Sequence, residues 1–294
     1  MSFVVATDTS SNLQSKVVAE NELVVIPFSY YVEGVEHTCM DSSAFSGDEY
    51  YDMIRRGTQV TTSQVTPQRY ISVFEPLLRD GKDILFVSMS SGISGSCASA
   101  EMAARELREQ FPDRKIKIID TLSASLGEGL VAVRAAQCRA AGMSFEETAK
   151  LLLAQSRRMC QIFTVDDLMH LRRGGRLSNL SAIVGTVLHI KPLLKGDGAG
   201  QIVCFAKIRG RKRAIEGLAE RYDRLAVAPE GQTVGIAHAG CREDAEYLAG
   251  LLRRNRPPRE IMSVEYEPVT GSHVGPGALA LFFESTDEVR SVLS

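Results

Sequence analysis

Ile84-Leu85-Phe86-Val87-Ser88-Met89-Ser90-Ser91-Gly92-Ile93-Ser94-Gly95-Ser96 is the stretch on which the reading of the fold turns. Four apolar residues that favour strands lead into nine that hold five serines and two glycines. Beyond them, from about Cys97 to Leu107, Ala100, Ala103, Ala104 and Leu107 recur at helical spacing. A buried strand, a loop of small residues and a helix, in that order, form the unit of a parallel α/β sheet. The loop then lies at the carboxyl edge, where ligands bind. Glycines let a ligand approach the backbone, hydroxyls offer hydrogen bonds, and free amides at the helix start favour an anion. A strand–helix turn with a serine cap is the plainer reading. Five hydroxyls exceed what a cap needs, so the loop is treated as a candidate site.

The same alternation extends both ways. Phe3–Thr7 and Leu23–Pro27 read as strands, and Tyr30–Val35 as a hairpin arm with Gly34 at its turn. Val60-Thr61-Thr62-Ser63-Gln64 is a second hydroxyl cluster, which Thr66-Pro67 follows as the start of a helix. Ile116–Ile119 is a strand, a helix runs from about Leu126 to Ala141, and Ser144-Phe145-Glu146-Glu147 forms a capping box for the next. The pattern predicts an N-terminal α/β domain, a mostly parallel sheet with helices on both faces. Near Cys160 the character changes. Asp166-Asp167 cap a short helix that runs into Arg172-Arg173-Gly174-Gly175-Arg176, and Ser178 starts a helix carrying Leu180, Ile183, Val184, Val187 and Leu188. Ile190–Leu194 leads to a turn at Gly196–Gly200, after which strands at 201–206, 233–237 and 261–266 alternate with helices before a final run, Leu279–Phe283. Two domains are expected, 1–160 and 161–294, the second an α/β domain with a mixed sheet.

The totals exclude several classes. Apolar residues at 44% and charged residues at 24% suit a globular core. No apolar run is long enough to span a membrane, and the N-terminus enters a strand with no basic leader, which implies a cytoplasmic protein. Six cysteines are scattered without a Cys-x-x-Cys pair, as expected of reduced thiols. Five histidines show no metal-ligand spacing, so no metal is expected. Neither a P-loop nor a dinucleotide fingerprint is present. The net charge of −2 hides a block from Lys150 to Leu225 with fifteen Lys/Arg against six Asp/Glu. Without aromatic interleaving or an RNA-binding signature, that block points to phosphate or an acidic protein surface rather than nucleic acid.

Gly92-Ile93-Ser94-Gly95-Ser96 approaches a nucleophile elbow but fails it, because Gly95 directly follows the serine and position 96 is serine. A serine-dependent esterase or thioesterase using Ser94 and His273 stays open as the alternative, although no third, orienting carboxylate stands out. Neutral donors at Thr62, Ser63, Ser90, Ser91 and Ser94, with Arg176 and His273 as partners, suit a carboxylate held at the mouth of an apolar cavity.

Taken together, Thr7-Asp8-Thr9-Ser10, Thr62-Ser63-Gln64, Ser90–Gly95, Val165–Arg176, Ile190-Lys191-Pro192, Lys207-Ile208-Arg209-Gly210 and His273-Val274-Gly275-Pro276-Gly277 resemble the DegV family of bacterial fatty-acid-binding proteins, over nearly the whole chain. The resemblance implies a non-catalytic lipid-binding subunit with a long-chain fatty acid buried between two domains. Its carboxylate would be held by Thr62 and Ser94, with His273 and Arg176 close by and Ser63 and Ser91 in the same blocks. It also implies a partner, a dihydroxyacetone-kinase-like fatty acid kinase subunit that receives the carboxylate and leaves an acyl phosphate, with Arg209 and Arg173 facing it. No cofactor is implied beyond the fatty acid as ligand. The chain departs from the family pattern at Val65, Ser96-Cys97, Arg173 and Ala280; none of these is Thr62, Ser94 or His273.

Overall fold

A computed structural model describes residues 3–40, 45–177, 190–286 and 289–292. The chain begins with β1 (Phe3–Asp8), α1 (Ser15–Glu20), β2 (Val24–Ile26), the hairpin β3 (Ser29–Val32) and β4 (Val35–Thr38), α2 (Gly47–Arg55) and β5 (Val60–Ser63). It continues through α3 (Pro67–Arg79), β6 (Asp83–Ser88), α4 (Ser96–Gln110), β7 (Ile116–Asp120), α5 (Leu126–Ala140) and α6 (Phe145–Arg158). The second half holds β8 (Met159–Thr164), α7 (Met169–Arg173), β9 (Ile190–Gly196), β10 (Ile202–Arg209), α8 (Arg211–Leu225) and β11 (Thr233–His238). It closes with α9 (Arg242–Asn255), β12 (Glu260–Glu265), α10 (Pro268–Val274), β13 (Leu279–Glu284) and α11 (Val289–Val292). The helix expected from Ser178, with Leu180 through Leu188, lies outside the described residues.

Three sheets result. A wholly parallel one has the order β2-β1-β6-β7. A six-stranded sheet has the order β10-β9-β8-β13-β11-β12 and is antiparallel throughout except for β11 beside β12. A small antiparallel sheet, β4-β3-β5, contains the hairpin expected at Gly34, but its third strand was not foreseen: the Thr62 cluster reads as a loop from its hydroxyls, yet it pairs as a strand, Tyr30 opposite Thr62. Threonine is a good strand former once a partner strand is present.

The layers follow from which faces are apolar. Every residue of β6 is buried, as a central parallel strand covered on both faces must be. One face of the parallel sheet packs α3 and α4 through Tyr70, Phe74, Phe86 and Leu107. The outer face of the six-stranded sheet packs α8 and α9 through Ile215, Leu218, Tyr222 and Leu248. Between the two sheets lies α5, touching β1 and β6 on one side and β8, β11 and β13 on the other. That position requires small residues. A Cβ on Gly235 would stand 2.9 Å from Leu126 Cβ, and one on Gly127 would stand 3.1 Å from Phe282.

Helix ends obey local chemistry. Thr66 accepts the Arg69 amide ahead of Pro67, and Ser144 with Glu147 closes the expected capping box. The segment around His273 differs from expectation. It reads as a glycine-rich loop, yet α10 runs from Pro268 to Val274 and places His273 in its last turn. The Glu267 carboxylate accepts the amides of Val269 and Thr270 at 2.6 Å each, and Pro268 supplies a preset φ at the first position.

Candidate functional site: a polar cleft and an apolar cavity that share a wall

The carboxyl ends of β6 and β7 turn towards the six-stranded sheet. Ser90 N–H donates to Ser123 O at 2.8 Å, and the Ser90 hydroxyl donates to Gly200 O at 2.8 Å, so the serine loop is tied both within its own half and to the β9–β10 turn. Other polar ties cross between the halves. Asn12 donates to Glu265 O at 2.7 Å and accepts from Glu267 N at 2.9 Å. Tyr50 and Tyr51 donate to Pro268 O and Tyr266 O at 2.7 and 2.6 Å.

Between these ties lies a cavity of about 70 Å³, lined mainly by apolar side chains that include Phe28, Met89, Ile93, Phe163, Leu171 and Phe282. Thr62, Ser63, Ser94, Arg176 and His273 bound it on one side. A second, open cleft of about 700 Å³ lies beyond them, lined by Arg55, Thr58, Asp166, His170, Arg173 and Pro276 among others. Thr62, Arg176 and His273 line both spaces. They are the wall between water and the apolar interior.

The Thr62 hydroxyl lies 2.8 Å from His273 Nε2. Burial, and then the Arg176 guanidinium beside it, push the His273 imidazole down to about 4, so it is neutral near pH 7. Arg176 itself is held in place: its Nε donates to Ile93 O at 3.1 Å and its Nη1 to Gly174 O. The Ser94 hydroxyl lies 3.1 Å from that of Ser96 and accepts the Ser96 amide at 3.2 Å. With Ser94 on its inner side, the wall therefore offers two hydroxyls, a neutral imidazole and one cation. Such a set can hold a carboxylate by hydrogen bonds and partial neutralisation. It is poorly arranged for nucleophilic attack, because the histidine is bonded to Thr62 and Ser94 to Ser96.

Other residues singled out from the sequence fall elsewhere. Ser91 is exposed, and its hydroxyl donates to Asp120 at 2.5 Å, away from the cavity lining. Arg173 lines the outer cleft. Arg209 ends β10, exposed and outside both linings. Among the described residues no group of three or more His, Cys, Asp or Glu side chains is placed to hold a metal ion. Among the same residues no helix is long and apolar enough to cross a membrane.

A carboxyl pair behind the serine loop carries no obvious sequence signal. Asp8 and Glu128 are wholly buried at the end of β1 and the start of α5. Thr7 donates to Glu128 at 2.9 Å, and the Ser10 hydroxyl contacts both Asp8 Oδ1 and, at 2.8 Å, Glu128 Oε2. One hydroxyl proton cannot serve two carboxylates, so the pair needs a proton of its own. Burial, then the neighbouring Asp8 charge, holds Glu128 well above the usual carboxylate range, and burial lifts Asp8 to about 6. Only the 121-residue separation of Thr7 and Glu128 in the chain hides the pair from a sequence reading.

Fold and site define an α/β protein with one parallel and one mixed sheet and an apolar cavity behind a hydroxyl wall. A DegV family model, described as an uncharacterised protein family, matches residues 2–286, and the chain belongs to that family. A DegV domain-containing protein of Clostridium perfringens is 37% identical over 281 residues, 96% of this chain and 97% of the relative. The solved structure of a Thermus thermophilus DegV family protein, titled for its fatty acid binding, is 28% identical. It superposes with a TM-score of 0.88 over 97% of this chain and 100% of that one. A Ruminococcus gnavus DegV family structure with vaccenic acid is 25% identical, with a TM-score of 0.86 over 96% and 99%.

Proposed function

We propose that this chain is a long-chain fatty-acid-binding carrier. The acyl chain lies in the inner cavity, its carboxylate meets Thr62, Ser94 and His273 with Arg176 alongside, and Ser63 completes the rim. The single observation that carries this reading is the shared wall: Thr62, Arg176 and His273 border both an apolar interior and an open polar cleft. An amphiphile placed there buries its tail and shows its head to the outside. The fatty acids named with the related structures support the same ligand class.

In this reading residues 1–160 supply Thr62, Ser63 and Ser94, and residues 161–294 supply Arg176 and His273. The carboxylate faces the open cleft, where a separate dihydroxyacetone-kinase-like fatty acid kinase subunit would transfer the γ-phosphoryl group of ATP to a carboxylate oxygen, ADP leaving, and the carrier delivers the acyl phosphate. Arg173 in the cleft, and Arg209 on the neighbouring basic surface, are the side chains assigned to that partner or to the phosphate.

Magnitudes agree. At ~0.8 kcal/mol per buried methylene, a chain of about sixteen carbons gains on the order of 11 kcal/mol. Ordering the chain and fixing it in place cancels several kcal/mol. The head contributes orientation more than affinity. Since the void is small, entry of a full chain requires lining side chains to change rotamer, and Met89, unbranched and adaptable, is the one suited to do so.

The test is mass spectrometry of whatever small molecule the purified protein retains after denaturation, paired with an ester-turnover assay. A co-purified fatty acid without turnover supports the carrier. Turnover of a chromogenic ester that disappears in Ser94→Ala overturns it in favour of a Ser94–His273 hydrolase.

A further inference from the structure

The inner end of the cavity is formed by a loop under strain. Between β7 and α5, Leu122 has φ +53° and Ser125 has φ +53° with ψ −139°. Neither is glycine, and such backbone angles persist only where the surroundings enforce them. Ala124 and Ser125 of this loop line the cavity, as does Gln161 of β8. Gln161 Oε1 accepts the Ala124 amide at 3.2 Å, which fixes the loop on its cavity side.

Behind the loop sits Arg290, from α11 at the other end of the chain, with 6% of its surface exposed. Its Nη1 donates to Leu122 O at 2.9 Å. Its Nη2 donates to Ser123 Oγ at 2.9 Å, to Ser156 O at 3.1 Å and, at the limit of a hydrogen bond, to Thr121 O at 3.5 Å. Nη1 also reaches Asp197 O at 3.3 Å. Among the described residues no carboxylate stands within ion-pair distance of it. A buried cation held by carbonyl oxygens and one hydroxyl, with its Nε unpartnered among the described residues, is a costly element to keep for packing. The geometry around it is specific: a Cβ on Gly196 would come within 2.3 Å of Gln161 Nε2 and 3.0 Å of Arg290 Nη1. The planar guanidinium reaches the loop, α6 and the β9–β10 turn at once, which a lysine ammonium cannot reproduce.

We propose that Arg290 is a positioning residue for the acyl cavity: through it the C-terminal helix grips the Thr121–Ser125 loop, and the gripped loop sets how far an acyl chain reaches. This rests on the fatty-acid reading above. Arg290 touches no ligand and acts through Leu122, Ser123 and the adjoining Ala124.

The experiment uses the full chain as wild type, Arg290→Lys and Arg290→Ala. Hydrogen exchange is followed at the amides of residues 121–126, and dissociation constants are measured for saturated fatty acids of increasing length. In Arg290→Ala, exchange of these amides accelerates by about tenfold or more. The dependence of affinity on chain length changes as well, the longest acids gaining relative to the shortest. Arg290→Lys falls between. A folded Arg290→Ala protein with unchanged exchange at 121–126 and an unchanged length profile overturns the proposal. A general loss of stability would weaken all lengths alike, and that outcome also counts against it. If Arg290→Ala does not fold, the same two readouts on Arg290→Lys decide. Should the wild type bind no fatty acid of any length, the carrier reading fails with the cavity role, whereas the exchange data still report whether the grip exists.

Discussion

The inner cavity and the outer cleft share Thr62, Arg176 and His273 but differ in what surrounds those residues. Inward they meet Phe163, Leu171 and Phe282; outward they meet Arg55, Asp166, His170 and Arg173. The same hydrogen bond is therefore worth more on one side than on the other. A polar group aimed inward has no water to fall back on, so losing its partner carries the full cost of desolvation. A charge in the cleft is screened by solvent and salt, and substituting it changes little by itself. Energetic weight is expected to collect inside, and selectivity for a partner outside.

That contrast can be tested in descending order of effect. Filling the interior should be the most damaging change. Ala124→Trp occupies the cavity end and is expected to weaken fatty acid binding by about 100-fold or more, on the order of 3 kcal/mol, at retained secondary structure by circular dichroism. Normal titration of this variant with palmitate would place the acyl chain elsewhere.

The next effect concerns pH and the buried pair behind the serine loop. Burial raises Asp8 from 3.8 to about 6, so the folded state favours its protonated form. Its stabilising contribution is complete below about 3.8 and is lost as pH rises through about 6. Relative to Asp8→Asn, the wild type should lose on the order of 2–3 kcal/mol of stability between pH 4 and pH 7. Paired denaturant titrations across that range check this. A stability difference that stays flat with pH would mean that Asp8 and Glu128 hold no raised proton.

Smaller again is the wall itself. Thr62→Val keeps the shape and removes the hydroxyl, leaving His273 Nε2 without the partner it has at 2.8 Å. Fatty acid affinity is expected to fall by about tenfold, roughly 1–1.5 kcal/mol, in calorimetric titration. Ser94→Ala should weaken binding less and spoil presentation more, read as slower acyl-phosphate formation with a cognate kinase. The smallest effect belongs to the cleft. Arg173→Ala should leave fatty acid affinity within about twofold, because an exposed charge contributes little to a ligand bound behind the wall. A large loss of affinity there would erase the distinction between the two spaces.

Much of this was legible in the sequence, for identifiable reasons. Strand and helix alternation shows in hydrophobic period, which is local, so the parallel sheet, the capping box at Ser144 and the glycine-ended helices could be read directly. Thr62, Ser94, Arg176 and His273 could be named because each sits in a short block with recognisable chemistry. What period cannot show is pairing at a distance. The small sheet that presents Thr62 depends on Tyr30 lying opposite it, and α10 depends on a buried glutamate cap rather than on a run of helix formers. Ser91 has the same local signature as Ser94 but is claimed by Asp120, 29 residues away. Arg290 reads as one more charge near a terminus, and only its carbonyl partners mark it out.

The position of α5 has one more consequence. From Leu126 to Ala132 every residue of it is buried, pressed by a sheet on either side. Jaws hinged about such a spindle could not swing wide without baring it to solvent, so traffic into the interior must pass by local rearrangement at the rim. Heat should likewise find no seam along which to separate the halves, and the molecule should absorb it in one cooperative step.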